Sequence, residues 1–178
     1  MPDGSREITM ETEAIENAWF AKRYSSLSPV AEKQLRLASQ SYSDSTTAEM
    51  HLTLARAIAP SHPVVKVGEY RYYFYKGRLE KALTVAEECL LIVAKELGVP
   101  ANWRAVEPKH ANFRSDESAH RFYLFCLKAY AYLLLRMNRL IEGRIAVDKL
   151  LLLDPANKVG GQVLLDVLER LGKDDYDD

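Results

Sequence analysis

The chain has 178 residues, 48% of them hydrophobic and 28% charged, with a formal net charge of −1 from 24 basic and 25 acidic side chains. That length suits one ordinary domain, and folding at this size buries about 70% of the unfolded surface, enough to do without disulfide or metal staples. The balanced charge weighs against a general nucleic-acid or anionic-membrane binder, while leaving room for a local basic patch, so no nucleic acid and no membrane is expected as a partner.

Cys89 and Cys126 lie in apolar patterns with helical spacing. A free cysteine there packs as a small hydrophobe rather than joining a disulfide framework. The opening stretch, MPDGSREITMETEAIE, has no apolar centre and is acidic where a leader would be basic. No run approaches the roughly 20 apolar residues of a membrane span. The longest, Ala129 to Leu135, contains Tyr130 and Tyr132. A cytoplasmic location is the expectation.

Residues 1–8 combine Pro2, Gly4 and charged groups without periodicity, which predicts disorder. A helix is expected over 9–27, with Ile15, Ala18, Trp19 and Phe20 on or near one face. Ser28-Pro29 offers a cap and a proline at the first helical position, opening a helix to about Tyr42. Ser43-Asp44-Ser45 is a turn. Thr46 and Glu49 have capping-box spacing for a helix to Ala59, which Pro60 and Pro63 end.

Val64 to Lys76 carries Tyr70, Tyr72, Tyr73, Phe74 and Tyr75, a composition that locally favours a strand. Its flanks are helical and no partner strand is visible, so a helix is predicted. Gly77 breaks the chain. Leu79 to Leu97 is rich in strong helix formers and ends at Gly98 and Pro100. Residues 98–115 form the longest loop, a length class that is usually functional or disordered. Ser115-Asp116-Glu117 caps a helix to about Met137, Asn138-Arg139 turns into a helix over Leu140 to Leu153, and a last helix spans about Val159 to Leu171. An acidic tail covers 173–178. The chain reads as all-α, with a single helical domain over 9–172 and an insertion at 98–115.

A four-landmark pattern recurs in that domain. A turn residue is followed by a small residue, an apolar residue and another small or apolar one, and in two cases by proline. The occurrences are Ser43, Ala48, Leu52, Ala55, Pro60; then Gly77, Ala82, Ala86, Cys89; then Asn138, Gly143, Val147, Leu150, Pro155. The first two are offset by 34 residues, and the second and third by 61, which is one period plus an insertion of 27. A small residue on the second helix of a pair lets the first approach, and the proline turns the chain toward the next pair.

This pattern resembles the tetratricopeptide repeat (TPR) family, most clearly in LLLRMNRLIEGRIAVDKLLLLDPAN and YYFYKGRLEKALTVAEECL. The resemblance covers about Pro29 to Pro155 and implies a TPR-like helical-hairpin solenoid with an N-terminal helix and a C-terminal capping helix. The sequence departs from the family at Arg36 and Ser39, and at Gly68, which sits nine residues before Gly77 where the family favours seven. In such arrays the first helix of each pair lines a concave groove. The implied groove residues here are Lys33, Leu37, Arg71, Phe74, Lys128, Tyr132 and Arg136. Cations on every first helix would suit an acidic protein or peptide.

Nothing in the motifs calls for a metal, a cofactor or a catalytic group. His51, His62, His110 and His120 lack metal-ligand spacing, Gly160-Gly161 follows no strand, and no serine occupies a nucleophile elbow. The insertion carries Trp103, Arg104 and Phe113, either tucked against the helices or offered to a partner. The leading expectation is a non-enzymatic protein-interaction module. A small cytoplasmic chaperone of a secretion or assembly system, a homodimer through its N-terminal helix, is the alternative. A third reading is an enzyme at 98–120, around His110, Asp116 and His120.

Overall fold

The computed structural model describes residues 26–174, and among these every regular element is helical, with no strand. The helices are α1 (Pro29–Gln40), α2 (Ser45–Ile58), α3 (Pro63–Tyr75), α4 (Leu79–Leu97), α5 (Ser118–Arg136), α6 (Leu140–Leu153) and α7 (Gln162–Asp174), with one 3-10 turn at Trp103–Ala105. The all-α expectation holds for these residues. The helix expected over 9–27 falls mostly outside them, as does the disorder expected at 1–8, and Ser26 and Leu27 are turn rather than helix.

Local chemistry explains the helix ends. Ser28 Oγ accepts from Ala31 N at 3.2 Å, and Pro29 sits at the first position of α1. The cap of α2 is Asp44 rather than Thr46: its carboxylate accepts from Thr46 N at 3.1 Å and Thr47 N at 3.3 Å. A carboxylate takes both orphan donors more strongly than a threonine hydroxyl takes one. The Thr47 hydroxyl, then its backbone, hold the Asp44 carboxyl below its ordinary value. Gly98 closes α4 in the left-handed region, φ 68°. The last helix starts at Gln162, later than expected, because Val159 is first buried and Asn157 Oδ1 receives Gln162 N at 2.9 Å.

Short turns force sequential neighbours to pack in pairs: α1 on α2, α3 on α4, α5 on α6. Helix α4 also packs along α5, α3 touches both α1 and α2, and α7 closes against α6 and α5. The recurring landmarks occupy the packed seams. Ala48, Ala55, Ala82, Val147 and Leu150 are fully buried, and a methyl on Gly143 would lie 2.5 Å from Leu135 Cδ2. The turns that open α4 and α6 share one geometry. Gly77 and Asn138 both have positive φ, 68° and 57°. Arg78 N donates to Tyr73 O and Arg139 N to Leu134 O, each at 2.9 Å.

The aromatic segment is helical, as its flanks predict. α3 buries residues all round its first half, Val64, Val65, Lys66, Val67 and Glu69 among them, because α1, α2 and α4 surround it. Tyr72 is fully buried and Tyr75 is 81% exposed. Two charges accompany the apolar residues. Glu69, 2% exposed, receives Arg56 Nη1 of α2 at 3.1 Å and faces Lys66 Nζ at 3.4 Å. Lys66 Nζ also reaches Glu88 of α4 at 2.6 Å. Burial pulls the Lys66 ammonium down, but Glu88 and Glu69 outweigh it and hold its pKa above the ordinary value. This chain of charges ties three helices across the joint between the first and second hairpins.

Candidate functional site

A cleft of about 420 Å3 opens between α1 and α3. The two helices approach each other where Gly68 of α3, which has no side chain, leaves room for Leu35 of α1. A methyl on Gly68 would sit 3.0 Å from Leu35 Cδ2. The floor is apolar, made by Ala38, Leu52, Val64 and Val67, all buried. The rim is polar: Glu32, Arg36 and Ser39 from α1 and Arg71 from α3. Arg36 and Arg71 are both exposed. Glu32 stands 3.9 Å from Arg36 Nη1, a loose exposed pair that leaves the guanidinium able to find another carboxylate.

Tyr42 lines one end of the cleft and meets the Tyr72 ring edge-on at 5.3 Å. Burial pushes the Tyr42 phenol above its ordinary pKa, against the pull of Arg71 and with Tyr72 adding to the rise. The phenol therefore stays protonated, and able to donate, throughout the neutral range. Behind it the Tyr72 hydroxyl donates to Glu49 Oε1 at 3.0 Å, and Arg78 pairs with the same carboxylate. Burial raises the Glu49 carboxyl, but those two hydrogen bonds together with the charges of Arg78 and Lys81 outweigh it and bring its pKa below the ordinary value.

The groove residues implied by the repeat resemblance are spread along the molecule. Arg71 lines the cleft. On α1 the cleft takes Leu35 and Arg36, while Lys33 is exposed, Leu37 half-buried, and neither lines it. Phe74 packs against Tyr70 at 5.9 Å and Tyr132 at 6.2 Å, so α3 and α5 meet through rings. Arg136 Nη1 donates to Tyr132 Oη at 3.0 Å. Lys128 Nζ donates to the Val159 carbonyl at 2.7 Å, which anchors the turn before α7. Arg36, Leu35 and Tyr42 were not singled out by sequence reasoning. The departure from the family pattern at Arg36 was the one signal pointing toward them.

The 98–115 insertion is folded against the helices. Trp103 and Phe113 are 6% and 3% exposed, packed on Tyr130 at 5.6 Å and Tyr123 at 5.5 Å. These two rings are therefore core residues, not outward contacts, because burying large apolar area outweighs loop freedom. Arg104 lies over the Trp103 ring, 4.4 Å from its centroid. Lys149 Nζ of α6 holds the Val106 carbonyl at 2.7 Å. Burial keeps the Tyr123 phenol far above its ordinary range.

The groups named for an enzyme at 98–120 serve separate neighbours. His110 Nδ1 accepts from Glu107 N at 2.9 Å, His120 Nδ1 stands 3.6 Å from Glu117 Oε2, and Asp116 pairs with Arg121 and Lys158. Among the described residues no cluster of His, Cys, Asp or Glu could hold a metal ion. Among them, too, no helix is long and apolar enough to cross a membrane.

No protein-family model and no solved structure matches the chain. It is 38% identical over 133 residues, 74% of each chain, to an uncharacterized 19.8 kDa protein in the nifW 5′ region of Azotobacter chroococcum mcd 1. That description places a gene and assigns no activity. With such identity over three quarters of both proteins, the chain belongs to the family of this Azotobacter protein.

Proposed function

We propose that the protein is a TPR-like helical-repeat binding module, and that it receives an acidic peptide or amphipathic helix along the α1–α3 cleft. The observation that carries this reading is the cleft itself: an apolar floor, two exposed arginines and a phenol on its rim, between the first helices of consecutive hairpins. Support for the solenoid comes from the hairpins packing in order, from small residues in the seams, and from the matching turns at Gly77 and Asn138. The floor supplies affinity by burying apolar side chains. The arginines supply charge selectivity and can grip a carboxylate with two parallel bonds. No chemical step is needed for this role.

A displayed library of helical peptides tests it. Selection on the full-length protein should enrich sequences that combine carboxylates with an apolar stripe. The enriched peptides should lose at least about tenfold in affinity to an Arg36→Glu/Arg71→Glu variant, since two charge contacts of about 0.7 kcal/mol each sum to that factor. Enrichment without acidic bias, or affinity indifferent to both arginines, refutes the reading.

A further inference from the structure

Helix α6 is apolar on two sides. Gly143, Ala146, Val147, Leu150 and Leu153 are buried, and the helix packs on α5 and α7. Its exposed positions are Ile141, Arg144, Ile145, Asp148 and Leu152. These share one face at helical spacing, over a length of about 16 Å. The three aliphatic side chains are all exposed, Ile141 at 82%. A helix that is apolar all round is normally covered all round. The charges say what would cover this one. Glu142 is engaged by Arg139 at 3.0 and 2.7 Å, and Lys149 Nζ by the Val106 carbonyl at 2.7 Å, so both are held at the flanks of the face. On the face itself are Arg144 and Asp148, one turn apart, with Arg144 Nε donating to both Asp148 oxygens at 3.0 and 3.1 Å. The pattern reads the same in reverse with the signs exchanged. Around residue 146, Arg144 mirrors Asp148 and Ile141 mirrors Leu152.

We propose that this face pairs with the same face of a second copy, α6 antiparallel to α6 across a two-fold axis near residue 146. Such an interface uses one patch twice, so the patch must be complementary to itself. Antiparallel pairing sets Arg144 beside the partner's Asp148, and Asp148 beside the partner's Arg144. Ile141 packs against the partner's Leu152, and the two Ile145 side chains meet near the axis. A parallel pairing would bring like charges together instead. An exposed ion pair one turn apart supports its own helix only slightly, so exchanging it for the crossed pairs costs little. The flanking aliphatic side chains exclude water from the crossed pairs, which strengthens them and fixes the register. One helix face per copy is a small interface, so the dimer is weak, with a Kd on the order of 10 μM. None of the residues lining the α1–α3 cleft belongs to α6. On the cleft reading above, the dimer therefore carries two sites and holds a partner with two acidic segments more tightly than one site does.

The test is sedimentation of the full chain over a range from about 1 to about 200 μM, where the wild type should pass from monomer to dimer. Ile141→Ser/Ile145→Ser should raise the Kd at least about tenfold. Both side chains are exposed in the single chain, so helix content should not change. Arg144→Asp puts two acids on each face and Asp148→Arg puts two bases there, so each variant alone should also lose at least about tenfold in self-affinity. Mixed in equal amounts, these two variants should recover the wild-type affinity as a heterodimer, because each supplies the charges the other lacks. A wild type that stays monomeric at about 200 μM overturns the proposal. A dimer that survives the isoleucine changes places the contact elsewhere and overturns it as well. Charge variants that self-associate like the wild type, or that pair no better mixed than alone, overturn the antiparallel two-fold.

Discussion

Replacing Lys66 by methionine removes the centre of the charge chain between the first two hairpins. Methionine keeps the aliphatic stem, so packing is largely preserved and the loss is electrostatic. Glu69 is left 2% exposed, with Arg56 at 3.1 Å on Oε1 and no cation on Oε2, which Lys66 had faced at 3.4 Å. Breaking a buried pair by removing one partner costs about 3–5 kcal/mol. The Arg56 that remains puts Lys66→Met at the lower end, about 3 kcal/mol. With a urea slope of about 2 kcal/mol per molar, the midpoint should fall by about 1.5 M. The assay is urea unfolding followed by helix content. In a double-mutant cycle, Lys66→Met combined with Glu69→Gln should cost less than the sum of the two single changes. A Lys66→Met loss under 0.5 kcal/mol, or strict additivity, would refute the buried-pair account. The sign with pH is also set. Lys66 has a raised pKa when folded, so its contribution is complete below the unfolded lysine value. It is lost as pH climbs through the higher folded value, and wild type and Lys66→Met should converge in stability only at strongly alkaline pH.

Three further outcomes follow from local geometry. Gly77→Ala should destabilise by about 1–2 kcal/mol in thermal unfolding, because φ is +68° while no neighbouring atom crowds the site; Asn138→Gly at the matching turn should be neutral or mildly stabilising. Asp154→Ala should cost about 2 kcal/mol, since its 3% exposed carboxylate accepts from Lys158 N at 3.0 Å and Val159 N at 2.9 Å, and chemical denaturation would read that loss. The Arg121 and then the Lys158 contacts hold the Asp116 carboxyl below its ordinary value, so its contribution is present above the unfolded pKa and disappears as pH falls through the lower folded one. Wild type and Asp116→Asn should therefore differ at neutral pH and converge in strong acid, and a gap that widens on acidification would contradict this.

The sequence by itself determined the helical class and most helix bounds. Leu79–Leu97 and Leu140–Leu153 were legible to the residue, because strong helix formers end at Gly98 in one case and Asp154-Pro155 in the other. The seam positions were legible too, since a small residue at a fixed offset from a turn has one physical use, the close approach of two helices. Competing local signals made α2 less clear, where Asp44 outbid Thr46 as cap. Only the tertiary structure decided which side chains meet. Leu35 and Arg36 line the cleft because Gly68 lets Leu35 approach α3, a contact between residues 33 positions apart that no local periodicity encodes. Trp103 and Phe113 looked equally able to face a partner until Tyr130 and Tyr123 gave them apolar surface to cover. Helical spacing specifies a face, but the rotation of one helix against another depends on the shapes of both.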